Sequence, residues 1–292
     1  MTMSLVYHYT SIDALHSILE RYRDNNCNDF IELWASNIWF LNDPQEMLKA
    51  PDIVLNVLHR LEKSLNIIDS LRITKTYNDI DSIINSRYKR LLKRDNNLFI
   101  ISLSNNVDTL PMWSMYAKNG KGVCLCFDKN ELTDYFKQDQ EQQVELVPVS
   151  YDFDNLENST MGKLEAIYQQ YIEEITDDCI QDKDSVIDNF LYSFIRILAP
   201  LYKDPAYRYE GEERLICTQQ GYQFNNTIKF RVSSNGYIIP FRIIKIPVGA
   251  LKKIIIGPSY DYELLSLGLR HEMIISGYVV DLEKSEINYR LI

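Results

Sequence analysis

Residues 98–104 read LFIISLS and residues 121–128 read KGVCLCFD. Both runs are almost continuously apolar, which is how a strand reads when both of its faces are covered. Between them PMWSMYA, at 111–117, has room for a short helix. Trp113 and Tyr116 are three apart in it and so share a helical face. Working outward, strands are expected at 4–9 (SLVYHY), 31–35 (IELWA) and roughly 144–152, and then at 208–217, 237–246, 252–256 and 277–281. Apolar residues recur at helical spacing from Ile12 through Leu15, Ile18 and Leu19, and again across about 45–95, 157–203 and 260–270. Thr10 and Ser11 suit a helix cap, and Asp43 ahead of Pro44 suits another. The two long helical blocks enter the strand series without a Gly/Ser/Pro linker, a repeat or a low-complexity tract. The expected organisation is one domain over 1–292, a sheet-based core with helical insertions at about 45–95 and 157–203. Strands that alternate irregularly with helices predict the α+β class rather than a doubly wound fold.

The 292 residues are 46% hydrophobic and 25% charged, enough for a substantial core under an ordinary surface. The formal net charge of −10 argues against non-specific nucleic-acid binding through long-range electrostatics. The one dense basic cluster, Arg87, Lys89, Arg90, Lys93 and Arg94, is expected to be the solvated face of a helix. Five cysteines form no CxxC pair and no Cys/His array with metal-ligand spacing, so reduced thiols in a reducing compartment are expected and no metal. The start MTMSLVYHYTS lacks the basic head and apolar run of a signal peptide. No window approaches 18 consecutive apolar residues, so no membrane partner is expected and the location read from the sequence is cytoplasmic. Neither GxGxxG after a strand nor GxxxxGK[ST] is present, so a Rossmann site and a P-loop are not indicated.

Four places could carry chemistry. His8 ends the first strand among hydroxyl side chains, where an imidazole can present one nitrogen to a cleft. The bland alternative is a half-buried histidine satisfied by a neighbouring carbonyl. In Tyr209-Glu210-Gly211-Glu212-Glu213-Arg214, a strand would put Glu210, Glu212 and Arg214 on one face. Two carboxylates at that spacing need a cation opposite, which Arg208 or Arg214 can supply as pure structure. They also suit a cleft in which positive charge develops as a glycosidic bond breaks. Trp113 and Tyr116 read first as core packing and only second as an aromatic wall. Ser36-Asn37, followed by Asn42-Asp43-Pro44 and Glu46, is a capping arrangement first and a site second.

Taken in order, these motifs resemble a large bacterial family catalogued as domain of unknown function 2971. The resemblance rests on His8-Tyr9-Thr10-Ser11, Ser36-Asn37 with Asn42-Asp43-Pro44-x-Glu46, and Ser102-Leu103-Ser104 leading to Met112-Trp113-x-x-Tyr116-Ala117. It continues through Gly120-x-Gly122-Val123 and Lys203 ahead of Glu210-x-Glu212-x-Arg214, to Leu251 through Gly257. The family is grouped with ADP-ribosyltransferase-like folds, which implies a split β-sheet core whose cleft grips NAD. By that resemblance His8 would hold the NAD ribose and Tyr9, Trp113 or Tyr116 would stack on nicotinamide. Glu212, then Glu210, would orient the ribose and stabilise the oxocarbenium ion, with Glu213 ranked last. Thr10, Ser36, Asn42 and Arg214 would join the NAD contacts. The implied activity is transfer of ADP-ribose from NAD to an unknown protein or nucleic-acid acceptor, in phage defence or toxin–antitoxin conflict. The alternatives are an NAD glycohydrolase and a non-catalytic nucleotide- or protein-binding module with a degenerate cleft. A nuclease that gathers Asp43, Glu46, Glu210 and Glu212 is a further class.

Overall fold

The computed structural model describes residues 4–24, 29–43, 49–76, 98–139, 141–218, 227–233 and 235–288. The basic run at 87–94, the helix start at 44 and Glu46 lie outside these. In chain order the principal elements are β1 (Leu5–Ser11), α1 (Ile12–Asp24), β2 (Phe30–Asn37), α2 (Ala50–Ser64), β3 (Leu98–Ser104), α3 (Leu110–Tyr116), β4 (Gly122–Asp128) and α4 (Lys129–Gln138). There follow β5 (Val144–Pro148), α5 (Phe153–Thr176), α6 (Lys183–Leu198), β6 (Glu212–Thr218), β7 (Ile228–Val232), β8 (Ile238–Pro247), β9 (Leu251–Ile256), α7 (Tyr262–Ser276) and β10 (Asp281–Lys284). The class is α+β with a mixed sheet. The chain divides into two compact units: Met1–Asn37 with Phe99–Pro148 and Tyr207–Ile292, and Ile38–Leu98 with Val149–Ala206.

The first unit holds the sheet, whose paired path runs β10-β9-β4-β1-β3-β2-β8-β7, with β6 joined to β3 and β5 to β6. Pairing is antiparallel except between β9 and β10 in the registers given. Side chains alternate across a strand, and the burial follows that alternation. Val6, Leu33, Ala35, Val123, Leu125, Phe127, Leu215 and Cys217 point to one face and form the main core. There they meet Leu15, Ile18 and Leu19 of α1, Leu132 and Phe136 of α4, and Leu269 and Met273 of α7. Tyr7, Tyr9, Cys124 and Cys126 point to the other face and pack with Met112, Trp113 and Ala117 around α3. Asp128 ends β4 and starts α4, its carboxylate accepting from the N–H groups of Asn130 at 2.9 Å and Glu131 at 3.1 Å. Those are two of the orphan donors of a helix N-terminus.

A strand has two edges, yet β3 pairs with β1, β2 and β6. Two of the three must therefore share an edge, at different ends of β3. The registers bear this out: β2 meets β3 at Phe99 and Ile100, and β1 meets it at Ser104. The sheet forks at β3. In Gly122 the space for a Cβ is taken by the Thr10 carbonyl at 2.3 Å and Ala117 Cβ at 2.8 Å, so only glycine lets β4, β1 and α3 close together there.

The second unit is helical. Tyr168, Phe190 and Phe194 pack between α5 and α6. Glu62 of α2 is buried, accepting the Tyr168 hydroxyl at 2.8 Å and the Thr74 N–H at 3.2 Å. The block expected at 157–203 is two helices, divided where Asp182 caps α6 by accepting from Ser185 N–H at 3.0 Å. Two further expectations are corrected. The strand expected at 208–217 is a 3-10 turn at Pro205–Glu210 followed by β6. Between them Gly211 sits at φ +50°, in the left-handed region that favours glycine. The strand expected at 277–281 begins at Asp281, because Gly277 at φ +75° is closing α7. No helix among the described residues is long and apolar enough to cross a membrane.

Candidate functional site

The site is built where the loop after β3 grips the turn before β6, inside the first unit. Ser104 Oγ donates to the Glu210 carbonyl at 2.5 Å, and Asn105 N–H donates to the Gly211 carbonyl at 2.8 Å. Asn106 Nδ2 donates to the Tyr209 carbonyl at 2.7 Å. Three successive residues thus hold three successive carbonyls, and that fixes where the carboxylates of Glu210, Glu212 and Glu213 go. The Tyr9 hydroxyl, donating to the Asn106 carbonyl at 2.9 Å, ties the clamp to β1.

Each glutamate meets a different partner. Glu210, on the turn, accepts the Tyr116 hydroxyl on Oε1 at 2.6 Å. Glu212 accepts Arg214 Nε at 2.9 Å and Nη2 at 3.0 Å, a two-point pair with both side chains buried. Glu213 accepts Asn105 Nδ2 at 2.9 Å and Lys129 Nζ at the start of α4. By alternation Glu213 shares the main-core face with Leu215 and Cys217, while Glu212 and Arg214 lie on the α3 face. Burial, and after it the Glu210 carboxylate, push the Tyr116 hydroxyl far above its ordinary value, and Glu212 adds to that field. Tyr116 therefore stays protonated and is a standing hydrogen-bond donor to Glu210.

His8 is half-buried on β1, and its Nδ1 donates to the Ser102 carbonyl at 3.0 Å, so a side chain rather than a strand takes that backbone group beside the fork. Burial lowers its pKa, the carbonyl bond offsetting this in part, so the ring is neutral at pH 7 and the proton sits on Nδ1. Alternation places His8 with Val6 on the main-core face and Tyr9 with Glu212 on the other. The resemblance gives His8 and Glu212 roles in one NAD cleft, while strand alternation turns the two side chains to opposite faces of the sheet.

Trp113 is fully buried, lies edge-on to Tyr9 at 5.0 Å between centroids, and donates its indole N–H to Asp108 Oδ1 at 2.7 Å. Neither it nor the buried Tyr9 offers an open stacking face; they support the site from beneath. Tyr116, half-buried, is the aromatic with an edge towards solvent. Arg214 is fully buried against Glu212 and so acts through that carboxylate. Thr10 is half-buried on β1 opposite Val123. Ser36 accepts Arg231 Nη2 at 3.0 Å and shares its face of β2 with Trp34, which packs on Phe241 at 4.5 Å. Asn42 is exposed and belongs to the second unit. The sequence carries a weak signal for the clamp: Asn105-Asn106 directly after a buried strand marks a loop. It carries none for Lys129, whose partner is 84 residues away. Among the described residues no group of three or more His, Cys, Asp or Glu is placed to hold a metal.

The residues that form the clamp's partners fall within one recognisable stretch. Residues 112–215 match the model of a family described as protein of unknown function (DUF2971). The match supports that family. It takes in Tyr116, Lys129, Glu210, Glu212, Glu213 and Arg214, and leaves His8, Ser36 and Asn42 outside. No curated protein and no solved structure gives a significant match.

Proposed function

We propose that the sheet-bearing unit cleaves the nicotinamide–ribose bond of NAD and passes ADP-ribose to a protein or nucleic-acid acceptor. The observation that carries this is the Tyr116–Glu210 hydrogen bond at 2.6 Å beside Glu212, on the clamp where the sheet forks. As the N-glycosidic bond breaks, its electron pair leaves with nicotinamide and positive charge develops on the ribose. A carboxylate held out of water stabilises that charge, and Glu210 is buried, 3% exposed. Glu210 takes this role, and Tyr116 holds it in one rotamer. Glu212, whose charge is matched by Arg214 on the same strand, adds to the field at Tyr116 rather than acting on the sugar. The acceptor then bonds to the anomeric carbon and loses its proton. Ser36 beside Arg231 suits the diphosphate.

A second reading is favoured by one observation: Glu212 and Glu213 each meet a cation, Arg214 and Lys129. A fold whose Glu212 and Glu213 are each paired with a cation also suits a non-catalytic module that binds a nucleotide. Free nicotinamide after incubation with NAD separates the two, since only an enzyme releases it. Release by the wild type that falls at least a hundredfold in Glu210→Gln, with NAD still bound, supports cleavage. Binding of NAD with no release by the wild type supports the module.

A further inference from the structure

Helix α3 carries Tyr116 to Glu210, yet its own sequence does little to fix its orientation. It is seven residues long, and Thr109 at its N-cap makes no side-chain capping bond. Helices of that length take their stability from tertiary packing. The packing here turns on Trp113, fully buried, whose ring lies edge-on to Tyr9 and whose indole N–H goes to Asp108 at 2.7 Å. Tyr116 stands three residues on, along the same helical face. A rotation of α3 that moved Trp113 would carry the Tyr116 hydroxyl off Glu210.

Asp108 is itself held from a distant part of the chain. Its backbone sits at φ +49°, in the left-handed region that residues with a side chain disfavour. Its Oδ1, the oxygen that takes the Trp113 N–H, also accepts the Ser285 hydroxyl at 2.5 Å, and its Oδ2 accepts the Glu286 N–H at 2.7 Å. Ser285 is buried, and its own N–H donates to the Ile256 carbonyl at 3.0 Å, carrying the pairing of β10 on β9 one residue further. Its Oγ accepts the Ile287 N–H at 3.2 Å, and Ile287 packs against the same apolar cluster as Tyr116. We propose that Asp108 is a positioning residue: Ser285 and Glu286 hold its carboxylate, the carboxylate holds Trp113, and α3 so held sets the Tyr116 hydroxyl on Glu210. The segment after β10 is thus a strap on the site. Its catalytic consequence rests on the role proposed for Glu210 above; the placing of α3 does not. A reacting group displaced by about 1 Å can lose on the order of a hundredfold in rate. Because Asp108 acts through Tyr116, its loss is capped by that of Tyr116→Phe.

Hydrogen exchange and nicotinamide release, both on the full chain, are the test. Ser285→Ala removes one donor to Asp108. Asp108→Asn keeps the shape and an oxygen for the Trp113 N–H, but turns an amide group towards the Glu286 N–H. Each variant should speed exchange roughly tenfold at the Ala117 and Gly120 N–H groups, which the Trp113 carbonyl accepts at 3.3 and 3.0 Å, and leave α7 within about twofold. With NAD, each should lower kcat roughly tenfold and keep KM within about twofold. In a Tyr116→Phe background neither should lower kcat further, since the bond being positioned is already gone. A merely structural role would speed exchange in α7 as well and add to the Tyr116→Phe loss, and either result overturns the positioning role. Exchange at Ala117 and Gly120 that is unchanged in both variants overturns the strap, whatever the activity. A wild type that releases no nicotinamide counts against the proposed chemistry instead, and the exchange result alone then decides whether Asp108 positions α3.

Discussion

Replacing Arg214 by Met strips the cation from Glu212 while keeping the length and most of the volume of the side chain. Both partners are buried, Arg214 at 0% exposure and Glu212 at 3%, and two hydrogen bonds of 2.9 and 3.0 Å join them. Removing one member of such a pair leaves an uncompensated buried charge, which typically costs about 3–5 kcal/mol. At roughly 2–4 °C per kcal/mol for a domain of this size, the melting temperature should fall by about 6–20 °C. Removing both charges together, as Glu212→Gln with Arg214→Met, should recover most of that loss, since well-packed neutral replacements of buried pairs are often close to neutral. The double-mutant cycle is read from chemical unfolding of the four proteins. A double variant as unstable as the sum of the singles would refute the pairing, and a loss under 1 kcal/mol in Arg214→Met would refute its burial.

Gly211→Ala should cost about 1–2 kcal/mol from the left-handed backbone alone. Its Cβ would also meet Asn106 Nδ2 at 2.9 Å, so the clamp must shift and nicotinamide release should fall with it. Asn106→Asp, checked by the same melt and release assays, should loosen the Tyr209 carbonyl and weaken release more than NAD binding. His8 supplies a pH test. Its folded pKa is lowered by burial, so below the ordinary value near 6.5 the unfolded chain takes up a proton that the folded chain resists. The stability present above about pH 6.5 is therefore lost as the pH falls. His8→Asn, whose amide can still donate to Ser102, should flatten that acid limb in melts from pH 8 down to pH 5. An unchanged limb would show that His8 titrates normally.

How much of this was legible in the residues depended on how local the cause was. The buried strands β3 and β4 and helix α3 follow from short-range apolar runs and lie within a residue or two of the expected positions. β7, IKFRV, is not among the expected strands, because Lys229 and Arg231 alternate with the exposed Phe230 and Val232 over only five residues. The cluster of Tyr116, Glu210, Glu212 and Arg214 was visible as residue types. Its division into a Tyr116–Glu210 pair and a Glu212–Arg214 pair was not, since it turns on Gly211 taking φ +50° and on the strand starting at Glu212 rather than at 208. Trp113 is packed, as its residue pattern suggested, rather than the stacking surface that the resemblance offered, and its N–H goes to the Asp108 carboxylate, itself set by loop geometry at φ +49°. Asp108 also accepts from Ser285 Oγ at 2.5 Å and from the Glu286 N–H at 2.7 Å, contacts 177 and 178 residues apart that no local pattern announces.

The proposed chemistry stands or falls on Glu210. The direct measurement is free nicotinamide released from NAD by the wild type, Glu210→Gln, Tyr116→Phe and Glu213→Gln, each alongside NAD affinity. A charge stabilised only as the bond breaks affects turnover and leaves ground-state binding largely intact. Glu210→Gln is expected to lose a factor on the order of a hundred or more in release with NAD affinity within a few-fold. Tyr116→Phe should lose roughly tenfold, in keeping with one charge-assisted hydrogen bond. Glu213→Gln, once shown to be folded, should stay within a few-fold. Wild-type release that survives Glu210→Gln unchanged would contradict the assignment.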